Sequence, residues 1–319
     1  MTDPAEAAPR IAVLVPCHNE EVAIGRVVAG FRAALPGAVV HVYDNNSTDG
    51  TAAAARAAGA VVRREPLQGK GNVVRRMLAD IEADVFVLVD GDDTYDAAAA
   101  PEMVRLLVED RLDMVTGVRV TAAPQEGAHA AAYRPGHVLG NRVLTGLVAS
   151  VFGDRISDML SGYRVFSRRF AKSFPALAEG FETETEFTVH ALELRLPVGE
   201  VATAYRERPP GSMSKLSTFR DGWRILRTIG GLVKRERPLA FFSVIALSLV
   251  VIGVLLFLPV LGTWLATGLV PRMPTLMAVI GLWILASLSL ACGLILDTVT
   301  RGRREMKRLA YLAVAPRGP

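Results

Sequence analysis

Three aspartates, Asp90, Asp92 and Asp93, directly follow five apolar residues in the stretch VFVLVDGDD at residues 85–93. An uninterrupted apolar run predicts a strand that is buried on both faces, and open α/β sheets bind their ligands just beyond the carboxyl ends of such strands. Because Asp90 and Asp92 are two residues apart, their carboxylates can point the same way at a strand end. Carboxylate oxygens suit Mg²⁺ or Mn²⁺, so the pattern predicts a divalent metal site. The alternative is a solvated acidic turn, since Asp and Gly are common turn residues.

Two earlier apolar stretches also end in polar clusters. Residues 11–15 run into PCHNEE, residues 39–43 run into DNNSTDG, and helical patterns follow each of these strand ends. This alternation predicts an α/β domain whose mostly parallel sheet has one shared crevice. The loop QGKGN at 68–72 can set backbone N–H groups and Lys70 against phosphates at a helix start. The glycine spacing of this loop is neither that of a Walker loop nor that of a dinucleotide-binding loop. The expected ligand is a nucleotide that binds to a different kind of loop.

As a set, the motifs VPCHNEE, YDNNSTDGT, GKGN and VDGDDTYD resemble the donor-binding half of inverting family 2 glycosyltransferases with the GT-A fold. The resemblance implies a nucleotide-sugar donor and a divalent cation, Mg²⁺ or Mn²⁺, that bridges the donor diphosphate. Asp92 is the better direct metal ligand of the Asp-x-Asp pair, since it stands further out of the strand. The residues that the resemblance assigns to the donor are Pro16, Glu20, Asp44, Lys70 and Asp90, and those it assigns to the metal are Asp90 and Asp92.

Three later motifs, TGVR at 116–119, SDMLSGYRVF at 157–166 and RPPGSMSKL at 208–216, resemble the polyprenyl- and dolichyl-phosphate sugar synthase branch of that family. The resemblance covers roughly residues 10–216 and implies a polyprenyl phosphate as acceptor. A guanidinium fork binds phosphate oxygens bidentately, so Arg119 is the candidate catalytic residue between the donor and acceptor phosphates. The candidate contacts to the acceptor phosphate are Arg134, Arg164, Ser214 and Lys215.

Several charged residues in or near these motifs can have a structural role instead of a functional one. Arg164 can instead pair with Asp158 and pin a loop. His18 is expected to shape the first loop rather than to act as a base. Glu182, Glu184 and Glu186 alternate along the chain, which is typical of solvated charges, with a catalytic or acceptor-side role for Glu184 as the alternative.

The last third of the chain predicts a membrane anchor. Residues 239–261 and 273–296 contain no charged side chain, and each stretch is long enough to cross about 30 Å of hydrocarbon. Basic residues precede the first stretch and follow the second, so the positive-inside rule places both termini and the catalytic domain in the cytoplasm. Residues 217–238 predict a basic amphipathic helix in the headgroup layer, or alternatively a helix packed on the soluble domain.

The predicted organisation is therefore a disordered N-terminus at 1–10 without an apolar core, a GT-A domain at 11–216, the juxtamembrane helix, two transmembrane helices and a basic cytoplasmic tail at 297–319. The net charge of +4 is concentrated beside the membrane segments, which does not favour nucleic acid as a partner. Cys17 and Cys292 lie in different kinds of segment, so no structural disulfide is expected.

These features predict a multi-pass enzyme of the cytoplasmic membrane that moves a sugar from a UDP- or GDP-linked donor to polyprenyl phosphate. Two other classes of protein share some of these features. A processive polysaccharide synthase should carry a Gln-x-x-Arg-Trp motif and more spans, but neither Gln68 nor Gln125 begins that motif. A non-enzymatic scaffold or sensor should have lost the metal carboxylates or the phosphate-binding basic residues, and both sets are present.

Overall fold

The computed structural model describes residues 8–120, 157–180, 182–206, 231 and 234–315. The chain divides into two compact units. The first unit comprises Met1–Trp223 together with Lys307–Pro319, and the second comprises Arg224–Met306. Of the predicted juxtamembrane helix at 217–238, only residue 231 and residues 234–238 lie within the described part.

The first unit alternates strands and helices along the chain. Its strands are β1 Ile11–Cys17, β2 Val39–Asp44, β3 Val61–Arg64, β4 Val85–Leu88, β5 Met114–Val120, β6 Arg164–Ser167 and β7 Val198–Ala204. Its helices are α1 Glu21–Ala34, α2 Thr51–Ala57, α3 Lys70–Asp80, α4 Ala100–Glu109, α5 Arg168–Ser173 and α6 Thr183–Glu193.

The seven strands form one sheet in the order β3-β2-β1-β4-β6-β5-β7. Every neighbouring pair is parallel except the two that involve β6, which runs antiparallel to β4 and to β5. The prediction of a mostly parallel sheet is therefore confirmed. Because β1, β2 and β4 are adjacent and parallel, the three polar clusters that follow them meet at one edge of the sheet.

The apolar runs of β1 and β4 are buried on both faces. Val13 of β1 and Val87 of β4 lie in a core cluster with Ile24 and Phe31 of α1 and with residues of α4. The next residues along β1 and β4 are equally inaccessible to solvent, and Leu14 is 0% exposed. Uninterrupted apolar sequence is what a strand covered by helices on both sides requires, since each face buries its own set of side chains.

The second unit contains two helices, α7 at Pro238–Thr267 and α8, which begins at Met273. Both are long and apolar enough to cross a membrane, which indicates membrane association. Buried residues recur at intervals of seven, and four of the six are Ala or Gly: Ala246, Gly253 and Val260 on α7, and Val279, Ala286 and Gly293 on α8. Small side chains at such a seam let two helix backbones approach closely in a lipid environment.

Gly293→Leu is expected to weaken the helix hairpin, because a Cβ at Gly293 would lie 3.0 Å from the Cβ of Phe242 and 3.4 Å from the Cα of Leu239. Overpacking of this kind costs about 1–3 kcal/mol. The matched control is Gly281→Leu on the same helix, since a Cβ at Gly281 meets nothing within 4 Å. The thermal unfolding midpoint in detergent should fall for the first variant only, and equal midpoints would contradict the seam.

Helix α8 continues to Ala313, well past the apolar stretch that the sequence marks as ending at residue 296. Its last turns belong to the first unit. Lys307 donates a 2.6 Å hydrogen bond to the buried carboxylate of Glu193, and the Tyr311 hydroxyl donates one of 2.8 Å to Asp113. Part of the segment predicted as a basic tail is therefore an ordered helix end that packs on the sheet domain.

Candidate active site

The Asp-x-Asp pair lies immediately beyond the end of β4. The residue Asp92 is only 4% exposed, and its Oδ1 accepts hydrogen bonds from the backbone N–H and the hydroxyl of Thr94. Asp90 is more open, and its carboxylate lies against the backbone of Gly162, where a Cβ would collide with it. The third aspartate, Asp93, has a φ of 60° and pairs with Arg26 at 2.7 Å. The acidic turn is thus largely buried and hydrogen-bonded rather than freely solvated.

Lys70 pairs directly with the first aspartate of the Asp-x-Asp pair. It is the first residue of α3, and its ammonium bridges the carboxylates of Asp90 and Glu184. Burial alone would lower the pKa of Lys70, but the two carboxylates outweigh burial and raise that pKa above its ordinary value. The lysine is therefore held as a cation between Asp90 and Glu184. Its predicted contact with a phosphate stays a prediction.

The polar clusters after β1 and β2 are bonded to one another. The backbone N–H of Asn19, whose φ is 53°, donates to the Ser47 hydroxyl, and its side-chain oxygen accepts from the N–H of Thr48. The backbone N–H of Glu20 donates to Thr51 Oγ1 at 2.8 Å. Asn19 and Glu20 are thereby joined to the loop after β2, whereas Pro16 is buried within β1 opposite Tyr43.

Asn45 organises the loop after Asp44. Its side-chain amide donates to the carbonyls of Glu65 and Leu67, and its side-chain oxygen accepts from the N–H of Gly69. The residue before Lys70 is thereby fixed, and Gly69 has a φ of 126°, a conformation that favours glycine. Sequence reasoning did not single out Asn45, because an asparagine after a strand usually signals only a turn.

His18 lies beside the same loop. Its Nδ1 is 2.9 Å from the backbone oxygen of Asn45, so the imidazole joins the cluster after β1 to the cluster after β2. This placement agrees with the expectation that His18 shapes the first loop.

Arg119 is held in a bidentate ion pair. Its Nε and Nη2 donate to the two oxygens of Asp158 at 2.7 and 2.8 Å, and its guanidinium carbon lies 5.6 Å from the centre of the Tyr205 ring. Burial raises the pKa of Asp158, but the hydrogen bonds from Arg119 outweigh it and hold that pKa below its ordinary value. The pair fixes the guanidinium in one orientation near the carboxyl end of β5.

Arg164 lies inside the domain. It is 0% exposed, and its guanidinium donates to the backbone oxygens of Ser161 and Met159 at 3.0 and 2.7 Å. Burial lowers the pKa of Arg164 to about 10. Arg164 thus pins the loop before β6, as the alternative interpretation held, but through carbonyls, whereas Asp158 pairs with Arg119. This placement does not give an acceptor phosphate access to Arg164.

The other predicted contacts to the acceptor phosphate, Arg134, Ser214 and Lys215, lie outside the described residues. Within the described residues, no group of three or more histidine, cysteine or acidic side chains is arranged to hold a metal ion. Asp90 and Asp92 supply two hard oxygen ligands of the kind that Mg²⁺ and Mn²⁺ prefer, so the donor set fits a cation that takes its remaining ligands from elsewhere.

A mostly parallel sheet with an Asp-x-Asp pair, a buried lysine and a hydrogen-bonded loop cluster at one edge is the arrangement of a GT-A transferase. The family model described as glycosyl transferase family 2 matches residues 12–174. Glycosyltransferase AglJ of Haloferax volcanii is 32% identical over 304 residues, which cover 95% of this chain and 98% of that protein. This chain belongs to glycosyltransferase family 2, as the sequence motifs predicted. The members of this family are enzymes.

Two further comparisons add detail. A dolichyl-phosphate hexose transferase of Haloferax volcanii is 29% identical over 228 residues, covering 71% of this chain and 95% of that protein. The crystal structure of glucosyl-3-phosphoglycerate synthase from Mycobacterium tuberculosis superposes with a TM-score of 0.56 at 24% identity, covering 71% of this chain and 82% of that chain. The same synthase is also known in complex with Mn²⁺, UDP and glucosyl-3-phosphoglycerate, with a TM-score of 0.55 at 24% identity, over 72% of this chain and 81% of that one. This structural likeness confirms the GT-A fold.

Proposed function

We propose that this protein transfers a sugar from a nucleotide-sugar to a polyprenyl phosphate at a membrane surface, giving a polyprenyl-phosphate-linked monosaccharide. The observation that carries the proposal is the presence, in one chain, of an Asp-x-Asp pair at the edge of a GT-A sheet and of two helices able to span a membrane. The similarity to a dolichyl-phosphate hexose transferase supports a lipid-linked phosphate as the acceptor class.

On the donor side, the nucleotide lies against the clusters after β1 and β2, where Pro16, Glu20 and Asp44 are located. Lys70 contacts the diphosphate, and Asp90 and Asp92 hold the divalent cation. When bound, that cation neutralises the negative charge that develops on the departing nucleoside diphosphate. The Mn²⁺ and UDP bound by the structurally similar synthase agree with this class of donor site.

On the acceptor side, no strong general base is required. A phosphomonoester has a second pKa near about 6, so a polyprenyl phosphate already carries a nucleophilic oxyanion at neutral pH. The task of the protein is to position that oxyanion and to manage charge. Arg119 does so with an oriented guanidinium, and Arg134, Ser214 and Lys215 are assigned to the acceptor phosphate as well.

The proposed orientation has this site on the cytoplasmic side, and the charges that flank the two helices support it. Lys234, Arg235 and Arg237 precede the apolar part of α7, and a second basic group, including Arg301 and Arg303, follows the apolar part of α8. In short flanking segments such an excess of basic residues remains in the cytoplasm.

A reporter fused after Pro319 is expected to read as cytoplasmic, whereas one inserted near Gly268, between α7 and α8, should read as extracytoplasmic. Paired alkaline phosphatase and fluorescent-protein fusions measure the two locations in intact cells. If both positions gave the same signal, two membrane crossings would be excluded, and the cytoplasmic placement would have to be abandoned.

The decisive experiment for the activity uses purified full-length protein in detergent with a panel of nucleotide-sugars and a polyprenyl phosphate. Label should move into the organic phase only when both a divalent cation and the phosphorylated lipid are present. EDTA and the unphosphorylated polyprenol serve as matched controls. Transfer to a water-soluble acceptor alone, or nucleotide-sugar hydrolysis unaffected by lipid, would contradict the proposed function.

A further inference from the structure

The three charged groups around Lys70 come from three separate elements of the sheet domain. Lys70 begins α3, Asp90 follows β4, and Glu184 lies in the first turn of α6. The side chains of Lys70 and Glu184 are 8% and 7% exposed, whereas that of Asp90 is 31% exposed. The ammonium thus has one carboxylate partner that faces the open site and one that lies inside the protein.

Glu184 contacts this cluster through its side chain. One of its oxygens accepts from the Lys70 ammonium, and the other, Oε2, is buried and has no hydrogen-bond partner among the described residues. Burying an ionised carboxylate costs free energy that a nearby cation offsets, so the ionised form of Glu184 depends on Lys70. The dependence is mutual, because Lys70 stands at the positive N-terminal end of α3, where the helix dipole disfavours a cation.

The proposed donor site gives Asp90 a second task, since its carboxylate must turn to the divalent cation and the donor. A divalent cation at Asp90 also repels the neighbouring ammonium. Two carboxylates share one lysine in the structure, so the loss of Asp90 still leaves the buried ammonium one partner. Glu184 is buried and is not assigned to the cation, so its contact with the ammonium can persist when the donor binds.

We propose that Glu184 is a positioning residue that retains the Lys70 ammonium in the site when the donor and its metal engage Asp90, so that Lys70 contacts the donor diphosphate. This inference rests on the proposed donor side of the function, and it is independent of the acceptor. Glu184 therefore acts on donor binding, through its contact with Lys70. It is not assigned as a base that acts on the acceptor.

The test is a double-mutant cycle of Glu184→Gln and Lys70→Met, read out as the affinity for UDP and for GDP in the presence of Mn²⁺. Loss of one charge-assisted hydrogen bond corresponds to about one to two decades of affinity. Glu184→Gln should therefore weaken binding of the preferred nucleotide by roughly 10- to 100-fold. In the Lys70→Met background the same substitution should change the affinity by less than about twofold, because residues that act through each other are not additive.

Glu82→Gln is the matched control, since it removes a carboxylate from a surface pair, 2.9 Å from the ammonium of Lys172, and should leave nucleotide affinity unchanged. If Glu184→Gln alone fails to fold but the double variant folds, the mutual dependence of the two charges is supported. The inference is overturned if Glu184→Gln leaves nucleotide affinity intact, or if it has the same effect with and without Lys70. A failure of the proposed acceptor is recognised separately, because the wild-type protein would then bind nucleotide with Mn²⁺ but would not glycosylate polyprenyl phosphate.

Discussion

Asp92→Ala is expected to lower the rate of sugar transfer by at least about 10³-fold, because a metal ion contributes several kcal/mol of transition-state charge stabilisation and each 1.4 kcal/mol is a factor of ten. Neither neighbouring carboxylate can replace Asp92, since Asp93 is paired with Arg26 and Asp90 is already assigned to the same cation. The measurement is initial rate against Mg²⁺ or Mn²⁺ concentration with a saturating donor. A near wild-type rate would show that Asp92 is not a metal ligand.

Two asparagine variants distinguish a loss of metal binding from a loss of folding. Asp92→Asn keeps a side-chain oxygen that can accept from Thr94, so it should preserve the turn and the thermal midpoint while still losing activity. Asp93→Asn is the matched control at the adjacent position, where the positive φ is well tolerated by asparagine. It removes only a half-exposed ion pair and should stay within a few-fold of the wild-type rate.

The strand ends at the candidate site were predictable, because each is marked by an apolar run and the polar residues that directly follow it. Five consecutive apolar residues before Asp90 require a strand covered on both sides, and the structure buries both faces of β4. The parallel order of β1, β2 and β4 then brings Glu20, Asp44 and Asp90 to one edge. This much of the fold and of the donor site follows from patterns a few residues long.

The pairing of charges was not predictable, because it depends on distant segments. Lys70 and Glu184 are 114 residues apart, and their contact exists only because α6 packs beside the start of α3. The sequence likewise suggested that Asp158 pairs with Arg164, six residues away. In the structure Asp158 pairs with Arg119, which is 39 residues away along the chain. Sequence proximity favours local partners, whereas the sheet register decides which side chains meet.

The end of α8 is a similar case. A stretch of basic residues after an apolar span predicts a basic cytoplasmic tail, because positive charges there agree with the membrane boundary. The structure instead uses Lys307 and Tyr311 to satisfy Glu193 and Asp113 of the sheet domain. Only the tertiary structure reveals acceptors for these donors.

Arg119→Ala is expected to reduce kcat by about 10²- to 10³-fold, the usual effect of removing one oriented donor from a site of developing charge. The KM for the nucleotide-sugar should change little, because a group between two phosphates matters most when charge moves from one to the other. Arg105→Ala is the control, since Arg105 pairs only with the exposed Glu109 on α4 among the described residues. Steady-state kinetics with both substrates varied give the two constants separately.

The simple alanine variant also leaves Asp158 as a buried, uncompensated carboxylate, which can cost about 3–5 kcal/mol of stability. Asp158→Asn and the double variant Arg119→Ala with Asp158→Asn remove that complication. If Arg119 acts on the phosphates, the double variant should fold normally and still lose kcat, whereas Asp158→Asn alone should lose less because the guanidinium remains. Recovery of activity in the double variant would mean that the ion pair matters only for folding.

Lys215→Ala gives the contrasting result that separates the acceptor from the donor. Lys215 is assigned to the acceptor phosphate, so its loss should chiefly raise the apparent KM for polyprenyl phosphate, by about one to two decades for one charge-assisted hydrogen bond. Nucleotide affinity should be unchanged, in contrast to the Lys70 and Glu184 variants. If Lys215→Ala instead weakened nucleotide binding and spared the lipid, the segment around Lys215 would belong to the donor site, and Arg119 would remain the one basic residue assigned to the transfer between the two phosphates.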